Sequence, residues 1–193
     1  MAETYKDLPV LPFASKAEWA KWLRSNHSTS DGVWIKFAKK KTGIPTVTYD
    51  EALEVALCYG WIDGQAKGFD DTHHLQRWTR RRAKSVWSKI NRENALRLIE
   101  EGKMKPAGLR EVERAKADGR WDAAYDSPRN AAMHPDFEKA LKRNAKARTF
   151  FETLTGANRF AILNRIQTAK REETRARRIK QFVEMLERGE RLS

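Results

Sequence analysis

The chain has 193 residues, of which 40% are hydrophobic and 34% charged, and its formal net charge is +13 at pH 7. This composition is typical of a folded globular protein and argues against an intrinsically disordered chain. A single cysteine, Cys58, excludes an intramolecular disulfide, and the lack of any run of 18 apolar residues argues against a membrane-spanning helix.

The same features favour a cytoplasmic location. The N-terminal residues lack the charged region and apolar run of a secretory signal peptide. One unpaired cysteine is also compatible with a reducing compartment. We therefore expect a cytoplasmic protein.

The first third of the chain predicts two helices with a strand between them. Ser15 and Glu18 have the spacing of a capping box, which begins a helix that runs to about Ser25. Residues 33–38 are rich in β-branched and aromatic types and predict a strand. Residues 48–51 repeat the capping-box spacing and begin a second helix, which a glycine ends at position 60.

The middle of the chain predicts two further strands and two helices. Residues 61–65 and 73–78 predict two strands, and turn residues lie between them. Helices follow at 86–101 and 106–117, and an irregular connector runs from 119 to 134. The first of these helices is predicted to face inward with Ile90, Ala95, Leu98 and Ile99.

From Pro135 onward the pattern is entirely helical, with four helices at about 135–143, 145–154, 156–170 and 172–188. The last helix carries an apolar face with Ile179, Phe182, Val183 and Leu186 at i, i+3, i+4 and i+7. The predicted fold class is α+β and dominated by helix. It has a small antiparallel sheet in the N-terminal half and an all-helical C-terminal region. We expect an α+β region over 1–105 and a helical region over 106–193, joined in one continuous globule.

The positive charge is concentrated beyond residue 70. Residues 72–92 contain seven Lys or Arg and no acid, and residues 139–182 contain thirteen basic and three acidic residues. Such blocks attract polyanions over long distances, so nucleic acid is a candidate partner. No basic zipper, zinc finger or aromatic ribonucleoprotein motif supports that partner.

The first basic block also contains aromatic residues, which predicts a groove that binds an anionic ligand. In this hypothesis tryptophan rings form apolar walls, arginines supply charge, and amide side chains orient the ligand. The predicted ligand-binding residues are Trp61, Asp63, Gln65, Arg77, Trp78, Arg81, Trp87 and Asn91.

No residue set identifies a reaction, and neither a cofactor nor a metal site is predicted. Cys58 lies on an amphipathic helix without a basic neighbour in sequence, which favours a packing role. His73 and His74 are adjacent on a strand and therefore point to opposite faces. Asp63 is more typical of an ion pair with Arg77 or Arg81, or of a turn, than of a catalytic acid.

Six segments of the chain are similar to a known protein family. They span residues 29–34, 51–65, 75–79, 87–91, 119–128 and 166–170, and they include CYGWIDGQ, which begins at Cys58, and LQRWT, which begins at Leu75. They resemble the YdeI/OmpD-associated (bacteriocin-protection) proteins of bacteria, over residues 13–192. The resemblance implies a stress or protection function and no catalytic residues. The sequence departs from it at 80–83, RRRA, where a proline is usual, so this loop is expected to be less rigid.

The leading hypothesis is a cytoplasmic bacterial stress or protection protein that binds an anionic partner without catalysing a reaction. One alternative is nucleic-acid binding through both basic blocks. Another is a small-molecule enzyme that uses Asp63 or a histidine as acid and base. The oligomeric state is left open.

Overall fold

The computed structural model describes residues 3–126, 132–169 and 171–192. These residues form five strands and eight helices, which confirms the predicted helix-dominated α+β class. The chain divides into two compact units, the first made of Met1–Trp87 and Asn91–Ala123 and the second of Ser88–Ile90 and Ala124–Ser193.

The first unit contains a five-stranded sheet with the strand order β1-β2-β3-β5-β4. Its strands are β1 (Thr4–Tyr5), β2 (Leu8–Leu11), β3 (Val33–Ala38), β4 (Trp61–Gly68) and β5 (His73–Arg80). The sheet is mixed, because β2 pairs parallel to β3 and the other neighbours pair antiparallel. A helix between β2 and β3 returns the chain to the start of the sheet, which lets the two strands run in the same direction.

Four helices follow the strands of this sheet or connect them. They are α1 (Lys16–Asn26), α2 (Tyr49–Cys58), α3 (Lys89–Glu100) and α4 (Pro106–Ala117). On α3, Ala95 and Leu98 are buried as predicted, whereas Ile90, which was predicted to face inward, is 48% exposed. The helix begins three residues later than predicted, so Ile90 lies in its first turn.

The two predicted capping boxes differ in detail. At α2 the box is complete, since Thr48 Oγ1 accepts from the Glu51 amide at 3.3 Å and the Thr48 amide donates to Glu51 Oε2 at 2.9 Å. At α1, Ser15 Oγ accepts a hydrogen bond from the Glu18 amide. The Glu18 carboxylate, however, accepts from the main-chain amide of Ala14 at 2.8 Å and not from that of Ser15. Both arrangements satisfy free amides at the helix start.

Tryptophans join α1 to the sheet in the core of the first unit. The Trp19 ring centroid lies 6.4 Å from that of Trp61 and 6.1 Å from that of Trp78. Trp19 Nε1 donates to the Ala52 carbonyl at 3.0 Å, and Trp61 Nε1 donates to the His27 carbonyl at 3.0 Å. The buried indole N–H groups of Trp19 and Trp61 therefore have main-chain acceptors, whereas Trp78 Nε1 is buried without an acceptor among the described residues.

Glycine allows α4 to approach the end of α2 very closely. A Cβ atom at Gly108 would lie 2.4 Å from the Cys58 carbonyl oxygen and 2.6 Å from that of Leu57. The Lys105 amide donates to the same Cys58 carbonyl at 3.0 Å. Cys58 is buried, and burial raises the pKa of its thiol, which fits a packing role.

The second unit contains the four remaining helices, α5 (Pro135–Arg143), α6 (Ala145–Thr153), α7 (Gly156–Gln167) and α8 (Glu172–Glu187). Side chains of Asn144 and Thr155 cap α6 and α7. The predicted apolar face of α8 is buried at Phe182 and Leu186, in a core with Phe137. None of the helices in the described ranges combines the length and apolar character required to cross a membrane.

Candidate anion-binding site

The three tryptophans of the predicted site lie in the core of the first unit. Trp61 and Trp78 are 0% exposed and Trp87 is 2% exposed. Their rings therefore offer no surface to a ligand, and the planar walls predicted for the groove are not on the protein surface at these positions. A tryptophan buried in the core and a tryptophan that lines a pocket look the same in a sequence, so residue type alone does not distinguish them.

A cleft with a volume of about 640 Å³ opens in the first unit beside the end of β5. Among the residues that the structure describes, five arginines line it and two acids do, Asp31 and Glu111. We call it the arginine cleft and define it by Arg77, Arg80, Arg81, Arg82 and Arg110, together with the aromatic side chains of His27 and Tyr59.

Two glycines let separate elements reach this cleft. Gly60 ends α2 with a φ of +73°, a conformation that favours glycine, and a Cβ there would lie 2.9 Å from the Ala107 carbonyl oxygen. Gly108 brings α4 against the end of α2. As a result, Arg110 of α4 and Arg77 of β5 line the same cleft.

Arg81 is the buried cation of the cleft, with 5% of its surface exposed. Its guanidinium carbon lies 3.6 Å from the centroid of the Trp87 ring, and its Nη1 donates to the Val86 carbonyl at 3.1 Å. Trp87 thus supports a charged group of the cleft from the core side. The sequence predicted both residues for the site, but with Trp87 in contact with the ligand.

Both acids of the cleft already have basic partners. Arg80 Nη2 donates to Asp31 Oδ1 at 3.1 Å, and Arg80 Nη1 donates to the Ser28 carbonyl at 3.1 Å. The Glu111 carboxylate forms an ion pair with Arg114, a residue that does not line the cleft. The remaining arginines are therefore not neutralised by either acid.

Two arginines have no partner among the residues that the structure describes. Neither Arg77 nor Arg110 makes an ion pair or a side-chain hydrogen bond within those residues, and Arg77 Nε is buried without an acceptor. Within the described residues, Arg82 donates its main-chain amide to Ser85 Oγ at 2.9 Å, and no hydrogen bond of its side chain is seen there. A buried donor without an acceptor raises the free energy of the folded protein, so a bound anion that accepts from Arg77 would be stabilised.

Asp63, Gln65 and Asn91 do not line the cleft. The Asp63 carboxylate accepts from the Tyr49 hydroxyl at 3.1 Å, and burial raises its pKa while Tyr49 and Arg81 act in the opposite direction. Gln65 is exposed on β4 and Asn91 lies on α3. Of the eight predicted residues, the cleft brings together Arg77 and Arg81, with Trp87 behind Arg81.

The adjacent histidines also lie outside the cleft. His73 Nδ1 is 3.3 Å from Asp70 Oδ1, and the His74 ring stacks on Phe37 with centroids 5.4 Å apart. Burial lowers the pKa of His74. No group of three or more His, Cys, Asp or Glu in the described part of the chain is placed to hold a metal ion.

Sequence reasoning missed His27, Tyr59 and Arg110 as lining residues, whereas Arg80 and Arg82 belong to the basic block at 72–92 that it indicated. His27 follows the end of α1, Tyr59 follows the end of α2 and Arg110 lies on α4, so no local pattern joins these three. One signal was available, because Gly108 interrupts an otherwise regular predicted helix and such a glycine often marks a close approach of another segment.

Two family models match the chain. Residues 11–111, more than half of the chain, match a model described as a domain of unknown function, DUF8412. Residues 130–189 match the model described as "Bacteriocin-protection, YdeI or OmpD-Associated", which confirms the predicted resemblance as a partial match in the helical part. Comparison with curated proteins and with solved structures finds no significant match.

Proposed function

The chain belongs to the DUF8412 family, and we propose that it has a protection-related function in bacteria and exerts it by binding an anionic ligand in the arginine cleft. The match of residues 130–189 to the bacteriocin-protection model supports the protection-related part. The arginine cleft, with five arginines and only two acids, supports the binding part. The proposal places the protein in the cytoplasm, where its buried thiol would stay reduced.

The single observation that carries the proposal is the uncompensated charge of the cleft. Arg77 and Arg110 have no acidic partner among the described residues, and the two lining acids are bonded to other arginines. Guanidinium groups bind phosphate and carboxylate through paired N–H donors, which makes arginine the preferred residue at such sites. The cleft therefore has the donors and the charge for an anion.

Calorimetric titration with inorganic pyrophosphate at low and near-physiological salt tests the proposal. We expect saturable binding to the parent protein and a loss of affinity of about tenfold or more in Arg77→Gln and in Arg110→Gln, because each variant removes a charge-assisted contact. Arg24→Gln, which neutralises an exposed arginine on α1 outside the cleft, is the matched control. Equal weakening by all three variants, or no binding by the parent, would refute the cleft as the site.

Nucleic-acid binding is the second candidate function. Four of the seven basic residues in the acid-free segment 72–92 line the cleft, so a phosphate backbone is a reasonable alternative ligand. The second basic block lies in the other compact unit. Affinity for labelled DNA and RNA should then fall steeply between about 50 mM and about 200 mM salt, because each neutralised phosphate releases counterions. Fluorescence polarisation with short labelled oligonucleotides measures this directly.

The alternative of a small-molecule enzyme stays a prediction. Asp63 is half-buried and bonded to Tyr49, but it does not line the cleft. Among the histidines, His27 lines the cleft, and its Nδ1 lies 3.0 Å from the Leu23 carbonyl. These contacts favour a structural role for both residues over proton transfer to a ligand.

A further inference from the structure

We propose that the ligand of the arginine cleft is a nucleotide-class molecule, in which a planar ring is joined to a phosphate group with two or more negative charges. This inference rests on the proposed function, since it concerns the same site. The ligand is a free small molecule and not a nucleic-acid strand.

The charge of the cleft favours a multiply charged anion. Among the described residues, five arginines and two acids line it, which leaves an excess of three positive charges. A carboxylate would neutralise one of these charges. A phosphate monoester carries about −1.5 to −2 at neutral pH, and a diphosphate carries more, so phosphorylated compounds match the excess better.

The aromatic pair of the cleft favours a ligand with a planar ring. His27 and Tyr59 both line the cleft, and their ring centroids are 5.1 Å apart with the planes tilted by 50°. Both side chains are half-buried, so each keeps part of its ring surface at the cleft. Aromatic side chains bind bases by stacking, and this contact tolerates different bases.

The size of the cleft fits one such molecule. Small-molecule sites typically have volumes of about 300–1,000 Å³, and the volume here is about 640 Å³. Ser28 and Thr79 also line the cleft, and both residue types carry a hydroxyl group that can bond to a sugar. The lining therefore contains residue types that suit a ring, a sugar and a phosphate group.

A ligand series tests the inference on the full chain: ADP, pyrophosphate, ribose 5-phosphate, adenosine and a short oligonucleotide, each titrated by calorimetry. We expect ADP to bind about tenfold more tightly than pyrophosphate or better, because stacking adds to the phosphate contacts. Adenosine should bind at least tenfold more weakly than ADP, because it lacks the charge. Ribose 5-phosphate should resemble pyrophosphate or bind more weakly.

Two variants separate the ring contact from the charge contact. Tyr59→Leu should bring the affinity for ADP close to that for pyrophosphate, with a much larger loss for ADP than for pyrophosphate, whereas Tyr59→Phe should retain ADP binding. Arg110→Gln should weaken both ligands. If Tyr59→Leu does not fold, the ligand series on the parent protein decides alone.

Each other outcome has a distinct meaning. Pyrophosphate that binds as tightly as ADP would overturn the nucleotide-class ligand and leave the proposed anion site standing. An oligonucleotide that binds far more tightly than ADP would overturn it in favour of a nucleic-acid strand. If no phosphate compound binds, both the inference and the proposed function fail.

Discussion

The guanidinium carbon of Arg81 lies 3.6 Å from the centroid of the Trp87 ring, and both residues are almost fully buried. The Trp87 ring also packs edge-on against Trp121, with centroids 4.9 Å apart. A cation on an aromatic face is attracted more strongly when water is excluded. The indole pair therefore provides a fixed support for one of the cations of the arginine cleft.

Loss of the Arg81 cation should destabilise the protein. In Arg81→Gln the amide retains a planar polar group but not the charge above the ring, so we expect the free energy of unfolding to fall by about 2 kcal/mol. Chemical denaturation measures the change. Arg24→Gln, at an exposed site, should stay within about 0.5 kcal/mol of the parent. Equal stability of the Arg81 variant and the parent would contradict a stabilising contact with Trp87.

Gly108→Ala should separate α4 from the end of α2. The added methyl group would lie 2.4 Å from the Cys58 carbonyl oxygen, which belongs to the rigid main chain, so the helices must move apart. We expect a loss of about 1–3 kcal/mol of unfolding free energy, which thermal denaturation detects as a lower Tm.

Gly156→Ala is the matched control for that variant. Gly156 is also helical, but a Cβ there meets no atom within 4 Å, so the Tm should stay unchanged or rise slightly. A Gly108 variant as stable as the Gly156 variant would show that the two helices are not in tight contact.

Gly60→Ala should combine backbone strain with a steric clash. Its φ is +73°, and the new Cβ would lie 2.9 Å from both the Ala107 carbonyl oxygen and Glu111 Cγ. Gly102→Ala has a similar φ of +66° and open space around the Cβ, so it measures strain alone, about 1–2 kcal/mol. We expect a larger loss for Gly60→Ala in chemical denaturation. Equal losses would mean that the contact with α4 adds nothing.

Asp63 should make stability depend on pH in an unusual direction for an aspartate. Burial raises its pKa above the ordinary value of 3.8 in the folded protein, so the folded state holds the proton more tightly than the unfolded chain. Its stabilising contribution is complete below pH 3.8 and is lost as the pH rises through the raised pKa. Asp63→Asn should therefore be more stable relative to the parent at neutral pH than below pH 3.8.

Denaturation of parent and variant at the two pH values measures this difference. Tyr49→Phe is the companion variant, because it removes a hydrogen bond that lowers the pKa of Asp63. In Tyr49→Phe the pKa of Asp63 should rise further, so the free energy of unfolding should keep changing up to a higher pH than in the parent. The same difference between Asp63→Asn and parent at both pH values would rule out a raised pKa.

Local patterns in the sequence predicted most of the fold. The Thr48–Glu51 spacing located the start of α2 because the cap uses residues three apart, and the spacing of Ile179, Phe182 and Leu186 located α8. The strands β1 and β2 were not predicted, since two and four residues are too few to show a period. The strand β2 pairs with a distant segment, Val10 with Trp34, and β1 pairs in turn with β2.

The candidate site was predicted only in part for a related reason. The basic block indicated Arg77 and Arg81, but Tyr59 and Arg110 reach the cleft through tertiary packing. Composition also does not distinguish a ring that faces solvent from one in the core, and Trp61 and Trp78 are in the core.

The register of β4 also affects self-association. Gly64 and Gln65 interrupt its pairing between Asp63 and Ala66, and this bulge lies on an outer strand of the sheet. The strand at the opposite border, β1, has only two residues. Neither a bulged strand nor a two-residue strand presents a long, straight row of free amides and carbonyls. Neither border of the sheet is therefore a good template for pairing with a second chain or for amyloid-like stacking.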